Sequence, residues 1–156
     1  MLSTQADLLA TLSKDEADRV MALGRPLTMP AGSVLFDLGA PADRVFVVER
    51  GRVALTLPMQ VGGVEEDVLV EEKQAGETFG WSGLVPPHRY TLKAGAAVES
   101  VVWTLPRAAL LEHFAARPEI GYIVTRNLAA VIGRRLQIFQ TMWLREMQRV
   151  VELRYP

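Results

Sequence analysis

The feature that most constrains this chain is a long stretch of helical sequence at its C-terminal end. Pro118 stands at a first helical position, and no further proline follows it until Pro156. A helix of ~36 residues extends roughly 50 Å at 1.5 Å per residue, which is farther than a domain of this size needs to cover itself. The sequence therefore predicts a helix that needs another surface along part of its length.

Apolar residues recur along this helix at alternating steps of three and four. The resulting seam consists of Ala129, Ile132, Leu136, Phe139, Trp143, Glu146, Val150 and Leu153, and only Glu146 is not apolar. This spacing is typical of a two-stranded coiled coil and predicts a homodimer. The predicted interface includes Ile132, Leu136, Phe139, Trp143, Val150 and Leu153. The alternative is that the stripe packs on the β domain of its own chain, as amphipathic helices usually do; we favour the dimer because about three heptads reach beyond a small core.

The middle of the chain has the two-residue apolar rhythm of short strands. Clear candidates are residues 34–36, 45–48 and 53–57, which glycine-containing turns separate. Further candidates are residues 64–70, 90–93 and 98–105. About seven or eight strands at this spacing predict a sandwich, jelly roll or barrel.

Helices are predicted on both sides of these strands. Ser13 and Glu16 form a capping-box pattern before an apolar run that Gly24 ends. Pro106 opens a short helix over residues 107–114, before the long one.

Length and composition favour one domain. A chain of 156 residues, 49% of them hydrophobic, has room for one substantial core and too little for two ordinary ones. We therefore predict a single domain over residues 1–156, with N-terminal helices at 3–25, the β-roll at 29–105 and C-terminal helices at 106–155.

Net charge and cysteine content indicate which partners and which cellular compartment suit this chain. The net charge of -1 gives no global attraction to nucleic acid or to an anionic membrane. The chain has no cysteine, and its sequence has no leader pattern and no apolar run of membrane-spanning length. We expect a soluble cytoplasmic protein without direct DNA or membrane binding.

Enzymatic chemistry is poorly supported by the sequence. His88 and His113 are too few for a histidine metal cluster, and no nucleophile elbow, Walker loop or catalytic carboxylate pair is present. Glu71 and Glu72 are interpreted as part of a solvated strand face and turn. The arginines of the long helix are interpreted as a solvated coiled-coil flank. We expect no catalytic residues and no metal site.

The glycine-rich segment at residues 76–91 is the strongest candidate for binding. Small residues at Gly80, Ser82 and Gly83 expose backbone N–H groups, which suits a phosphate. His88 and Arg89 lie just beyond. Such a turn is by itself usually only a turn, so its meaning depends on the elements around it.

The order of these elements resembles the cyclic-nucleotide-binding domain of catabolite-activator and FNR-like regulators and of cyclic-nucleotide-gated kinases and channels. The resemblance covers nearly the whole chain. Its most specific parts are Gly51-x-Val53, the Gly-Glu-Thr-Phe-Gly pattern at residues 76–80 and Lys93-Ala94, and Arg134-Arg135-Leu136-Gln137 is similar to the family's dimer helix. The resemblance implies a mainly β fold with flanking helices: an eight-stranded double-stranded β-helix, or jelly-roll-like β-roll, followed by a long C-terminal dimerisation helix.

The resemblance also implies where a ligand binds. The glycine turn becomes the phosphate-binding cassette, and the ligand is cyclic AMP, cyclic GMP or another nucleotide-like anion. The implied ligand-binding residues are Phe79, Gly80, Trp81, Ser82, Gly83, Leu84, His88, Arg89, Tyr90, Thr91, Phe139 and Gln140.

The cassette departs from the family at two positions. Trp81 replaces the glutamate that holds the ribose hydroxyl, and an indole cannot accept that hydrogen bond. The phosphate-pairing arginine of the family falls on His88, while Arg89 is displaced by one position. Phe139 either stacks on a ring of the ligand or fills its place. In the alternative interpretation, Trp81 and Phe139 are core residues of a site that no longer binds nucleotide.

These observations predict a sensor or regulatory domain that signals through its dimer helix. The helix-turn-helix that follows this helix in the regulators has no room after Tyr155-Pro156, so the expected output passes through an unknown partner protein. The rival prediction is a dimerisation scaffold with the same fold and no ligand.

Overall fold

The structure is a computed structural model that describes residues 6–155 of the 156-residue chain. Within that range it contains eight antiparallel strands and three α-helices. The strands are β1 (Arg25–Met29), β2 (Val34–Phe36), β3 (Arg44–Arg50), β4 (Val53–Val61), β5 (Val64–Lys73), β6 (Thr78–Phe79), β7 (Lys93–Ala96) and β8 (Ser100–Pro106). The α-helices are α1 (Lys14–Met21), α2 (Arg107–Ala116) and α3 (Pro118–Arg154), and short 3-10 helices lie at Asp7–Leu9 and Trp81–Gly83.

The strands form two four-stranded sheets, in the orders β1-β8-β3-β6 and β2-β7-β4-β5. Apolar side chains from both sheets meet in one cluster, the roll core, at whose centre four aromatic rings pack together. Phe36 stacks on Tyr90 with ring centroids 3.7 Å apart, and Phe46 stacks on Phe79 at 5.1 Å. The two sheets therefore enclose a filled interior, which confirms the predicted β-roll.

Strand β3 is buried on both of its faces. Phe46 and Val48 point into the roll core, while Val45 and Val47 point the other way. On that outer side they contact a second cluster, the helical core, which the N-terminal segment, α1, α2 and the first turns of α3 complete. The continuous apolar run at residues 45–48 is explained by these two cores, since a strand covered on both faces does not alternate.

The predicted capping box is present at the start of the N-terminal helix α1. Ser13 accepts a hydrogen bond from the Glu16 N–H, and the Glu16 side chain accepts one from the Ser13 N–H. The predicted helical region begins at residue 3, and residues 3–5 lie outside the described part of the chain.

Two strand boundaries differ from the sequence prediction. The candidate strand at residues 90–93 is wrong, because the strand begins at Lys93 and Tyr90 instead anchors an irregular segment with its ring in the roll core. Strand β1 begins at Arg25, before the predicted start of the roll at Met29. It escaped detection because it is an edge strand with four exposed residues and a proline, so it lacks an alternating apolar pattern.

Helix α3 has two parts that differ in their environment. Its first part contributes Ile120, Val124, Leu128 and Val131 to the protein interior. Beyond Arg135, every described residue of the helix is exposed except the partly buried Ile138. None of the helices within residues 6–155 combines the length and the apolar character needed to cross a membrane.

The helical core makes a direct prediction about stability. Leu110 is fully buried there, whereas Leu111 on the same helix is 51% exposed. Leu110→Ala should lower the free energy of unfolding by about 2–5 kcal/mol, because it leaves a cavity among packed side chains. Leu111→Ala is the matched control, with the same change in the same helix, and should cost about 0.5 kcal/mol or less. Urea denaturation measures both, and equal losses would contradict the described packing.

Candidate functional site

The predicted cassette is a tight turn pressed against β3. Gly80 adopts a left-handed conformation with φ 71°, which is costly for other residues, and the 3-10 helix Trp81–Gly83 follows. A Cβ on Gly83 would lie 2.2 Å from the carbonyl oxygen of Arg44, and one on Gly80 would lie 2.7 Å from the Phe46 ring. Both glycines are therefore required by the close approach of the turn to its neighbouring strand.

Two backbone donors of this turn have no backbone partner. Gly83 and Leu84 donate within the turn, to Gly80 O and Trp81 O, at 3.0 Å each. Within residues 6–155, the N–H groups of Trp81 and Ser82 donate to no backbone carbonyl, as expected at the start of a helical turn. The turn thus retains the donors that the phosphate hypothesis needs.

A small cavity lies beside the turn, in the interior of the roll. Its volume is about 10 Å³, which is room for a single water molecule. Five of the predicted ligand-binding residues line it: Gly80, Trp81, Ser82, Tyr90 and Thr91. The remaining lining residues are Phe36, Leu55, Leu92 and Arg135. In this structure the space beside the turn is therefore too small for a molecule larger than water.

Trp81 packs mainly away from the roll core. Its indole is partly buried against the helical core, together with Leu84 and Val85. Although part of the residue lines the cavity, the aromatic filling of the roll comes from Phe36, Phe46, Phe79 and Tyr90. Trp81 therefore packs on the helical core and also forms part of the cavity wall.

The two residues predicted to bind phosphate beyond the turn form hydrogen bonds with the protein backbone. His88 Nδ1 donates to the carbonyl oxygen of Ser82 at 2.9 Å, because a carbonyl can only accept. Arg89 is exposed, and its Nη1 donates to Gly39 O at 3.0 Å. A backbone bridge between Arg89 and Pro41 holds this position extended. Since successive side chains in extended chain point to opposite sides, Tyr90 turns inward and Arg89 outward.

The tyrosine that follows is firmly anchored. Its hydroxyl donates to the carbonyl oxygen of Arg44 at 3.0 Å. Burial and the nearby carboxylate of Asp43 raise the pKa of Tyr90 to about 12. The phenol is therefore neutral at physiological pH and acts as a fixed wall of the cavity.

The two residues predicted to contact a base lie farther along α3. Phe139 is 36% exposed, Gln140 is exposed, and neither lines the cavity. The predicted interface residues are also on the surface: Leu136, Trp143 and Leu153 are 67%, 60% and 73% exposed, and Ile132 is partly buried against the helical core.

A buried ion cluster beside the cavity was missed by sequence reasoning. Arg135 Nε donates to Glu71 Oε2 at 2.7 Å, and Lys73 Nζ lies 2.7 Å from Glu71 Oε1. The side chains of Lys73, Arg135 and Glu71 are 0%, 7% and 13% exposed. The interpretations of Glu71 as a solvated strand residue and of Arg135 as part of a solvated flank are therefore wrong.

The location of this cluster explains why it was missed. Glu71 and Lys73 lie two residues apart on β5, after a register shift in its pairing with β4. They consequently share the face that receives α3. Opposite charges two apart in a strand were the one signal available, but the register of α3 against the roll was not readable from the sequence.

The charge state of Glu71 follows from its partners. Burial raises the pKa of this carboxyl, but hydrogen bonds and ion pairs with Lys73 and Arg135 outweigh it and hold the pKa below its usual value. Glu71 is therefore ionised at neutral pH. Within residues 6–155, no group of three or more His, Asp or Glu residues is arranged to hold a metal ion.

An open groove lies next to the ion cluster, between β5 and α3. Its volume is about 630 Å³. Glu71 is part of its wall, and the other lining residues are Leu69, Val70, Glu77, Arg134, Gln137, Ile138, Thr141, Met142 and Arg145. Because Arg135 lines the closed cavity and Glu71 lines the groove, their ion pair stands between the two spaces.

Comparison with known families agrees with this architecture. The family model of the cyclic nucleotide-binding domain matches residues 26–117. The geometry defines the class of fold: a β-roll with a glycine-bounded turn beside its interior. The chain belongs to the cyclic nucleotide-binding domain family.

Curated relatives share this region at low identity. An NTE family protein of Mycobacterium tuberculosis is 22% identical over 125 residues, which cover 80% of this chain and 20% of the relative. Glutaminase 2 of Bradyrhizobium diazoefficiens is 27% identical over 129 residues, covering 83% of this chain and 19% of the relative. The chain thus spans about a fifth of the length of these relatives.

A solved structure confirms the fold. The catabolite activator protein of Thermus thermophilus superposes with a TM-score of 0.74 at 24% identity, covering 92% of this chain and 63% of that one. The fold of this chain therefore has a known counterpart over 92% of its length.

The buried carboxylate predicts how acid affects stability. Because the folded pKa of Glu71 lies below the ordinary 4.5, its stabilising contribution is complete above that pH and is lost as the pH falls through the folded value. The free energy of unfolding of Glu71→Gln should therefore decrease less steeply below pH 4.5 than that of the wild type. Urea denaturation at a series of pH values measures the slopes. Glu66→Gln, on the exposed part of the same strand, is the control, and an unchanged slope in Glu71→Gln would refute the proposed charge cluster.

Proposed function

We propose that this chain is a sensor domain that binds a small, nucleotide-like anion in the cassette and signals through a dimer formed by α3. The observation that carries the proposal is the turn itself, where the open N–H groups of Trp81 and Ser82 lie beside an interior cavity. Membership of the cyclic nucleotide-binding family supports cyclic AMP, cyclic GMP or a related anion as the ligand.

Binding requires the site to open. A cavity of about 10 Å³ cannot hold a nucleotide, since ligand pockets are commonly about 300–1,000 Å³. The adjoining groove of about 630 Å³ has a suitable size, and the Arg135–Glu71 ion pair separates it from the cavity. A ligand would therefore favour a second state in which this separation is removed.

The role proposed for the domain is binding rather than catalysis. We expect ligand binding to change the activity of a partner protein or of an adjoining domain. The mycobacterial and Bradyrhizobium relatives support this arrangement, since one carries the name of an enzyme and both extend well beyond the region they share with this chain. The absence of cysteine agrees with a cytoplasmic setting.

The closed cavity also favours a second candidate function. In this alternative the chain is a dimerisation scaffold that has kept the fold and binds no ligand. The two candidates differ in one measurable property, which is binding of nucleotide to the purified protein.

Isothermal titration with cyclic AMP, cyclic GMP and a cyclic dinucleotide tests the sensor proposal. We expect saturable binding of at least one of them with one site per chain. Adenosine is the matched control for an adenine ligand, and it should bind far more weakly because it has no phosphate for the turn. Absence of binding by all three nucleotides would favour the scaffold.

The dimer is proposed from the exposed seam of α3. Residues 136–154 project from the roll with Leu136, Trp143 and Leu153 largely exposed. Exposed apolar residues at coiled-coil spacing are costly in water unless a second surface covers them. A second copy of this chain offers the same spacing and so provides a complementary surface.

Light scattering after size-exclusion chromatography tests the dimer. Leu136→Glu places a charge in the seam and should convert the dimer to a monomer. Leu144→Glu is the matched control, because Leu144 is 54% exposed on the same helix but lies outside the seam, and it should remain dimeric. A wild-type monomer, or equal effects of the two variants, would refute the proposed interface.

A further inference from the structure

A cleft on the outside of the roll is separate from the cassette and from α3. Its volume is about 410 Å³, whereas small-molecule sites commonly have about 300–1,000 Å³. The edge strands of both sheets contribute to it, β1 through Leu27 and β2 through Leu35. None of the described residues of α3 lines this cleft. The seam proposed for the dimer therefore does not cover it.

The inner wall of this cleft is aromatic. Phe36, Phe46 and Tyr90 line it, and Phe36 stacks on Tyr90 with the ring centroids 3.7 Å apart. Phe36 and Tyr90 also line the small cavity beside the cassette, so this stacked pair separates the two spaces. Leu27 extends the apolar wall and is 41% exposed. Together these side chains provide a surface for the apolar body of a ligand.

The loop that forms one side of the cleft is fixed by backbone hydrogen bonds. The Gly39 N–H donates to Tyr90 O at 2.7 Å, and the Tyr90 N–H donates to Ala40 O at 3.0 Å. At the other end of the loop, the Arg107 N–H donates to Asp43 O at 2.8 Å. The loop is thus held at both ends, and a cleft with a fixed wall loses little conformational entropy when it binds a ligand.

The charge at the mouth of the cleft is negative. Asp37 and Asp43 line it, and both residues are exposed. Among the described lining residues Arg44 alone is cationic, and its Nε lies 3.8 Å from Asp43 Oδ1. The two side chains of this pair are 51% and 74% exposed, so their attraction is weak. A hydrogen bond to Asp67 and, in smaller part, the charge of Asp37 raise the pKa of Lys93, whose ammonium stays with Asp67 at 2.7 Å.

The carboxylate of Asp43 lies close to the aromatic wall. Burial and, in second place, the charge of Asp43 raise the pKa of Tyr90 to about 12. A cation attracted to Asp43 is therefore also brought to the aromatic rings, whose faces attract positive charge. The cleft thus combines an acidic mouth with an apolar, aromatic wall.

We propose that this cleft binds a small organic cation, in which a primary ammonium group is attached to an aromatic or other apolar body. Asp43 holds the ammonium, Asp37 adds to the negative potential at the mouth, and the body packs on Leu27 and Phe36. A metal ion suits the cleft less well, because the described chain contains no cluster of three or more His, Asp or Glu residues arranged around a metal position. This site is independent of the nucleotide proposed for the cassette.

Titration of the nitrogen-15-labelled full chain with 2-phenylethylamine, followed by NMR, tests the proposal. The amine is cationic at neutral pH, and we expect saturable shifts of the amide signals of residues 36–44. 2-Phenylethanol is the matched neutral probe with the same body, and it should bind at least about tenfold more weakly because it lacks the charge. Phenylacetate has the same body with a negative charge and should not bind.

Substitutions assign the contacts to individual residues. Asp43→Asn should weaken binding of the amine by about tenfold and leave binding of the alcohol unchanged. Asp15→Asn is the matched control, since Asp15 is an exposed carboxylate on α1 outside the cleft. Leu27→Ala should weaken the amine and the alcohol alike. Thermal denaturation checks folding, and Asp37→Asn replaces Asp43→Asn in the test if the latter does not fold.

Three results would overturn the proposal. The first is the absence of saturable shifts with the amine, and the second is equal affinity for the amine and the alcohol. The third is a set of shifts centred on residues 64–67, where carboxylates lie outside the cleft, because the amine would then follow charge alone. Cyclic nucleotides take no part in these titrations, so each of these results leaves the sensor function of the cassette intact.

Discussion

The structure depends on burial of β3 from both sides. Val45 and Val47 join the helical core and Phe46 joins the roll core, so a single strand connects the two hydrophobic clusters. The cassette uses the same strand, because Gly83 abuts the Arg44 carbonyl and the Tyr90 hydroxyl donates to it. The site is therefore positioned by the most buried part of the protein, and its turn has little freedom to move relative to the roll.

Helix α3 is the element that extends beyond the packed part of the protein. Its first part is held by the helical core and by Asn127, whose side-chain amide donates to the carbonyl oxygens of Leu8 and Ala10 at 2.9 and 2.8 Å. Arg135 is its last buried residue, and beyond it only Ile138 is partly buried among the described residues. Among the described residues, the Arg135–Glu71 ion pair is the last one along α3 that joins the helix to the roll. It lies directly before Leu136, where the exposed part of the seam begins.

The sequence predicts apolar patterns and helix ends, because both depend on residues that are close to one another along the chain. The apolar run at residues 45–48, the Ser13 capping box and the long helix opened by Pro118 all follow from local spacing. The interior of the site depends on distant contacts. The direction of Arg89 is set by a bridge to Pro41, and the burial of Arg135 is set by the carboxylate of Glu71 on a strand 64 positions earlier. A motif places such residues near a site but does not say which side chain enters it.

The geometry of α3 links the closed cavity to the seam through neighbouring residues. Arg135 is buried and Leu136 is 67% exposed, since successive residues of a helix point about 100° apart. Any rotation of the helix that withdraws Arg135 from the cavity therefore also redirects Leu136 in the seam. The cost of this withdrawal is limited by Lys73, whose ammonium lies 2.7 Å from Glu71 and stays there when Arg135 leaves. Glu71 therefore keeps one charged partner on the roll wherever its contact with Arg135 is lost, which lowers the cost of separating the helix from the roll.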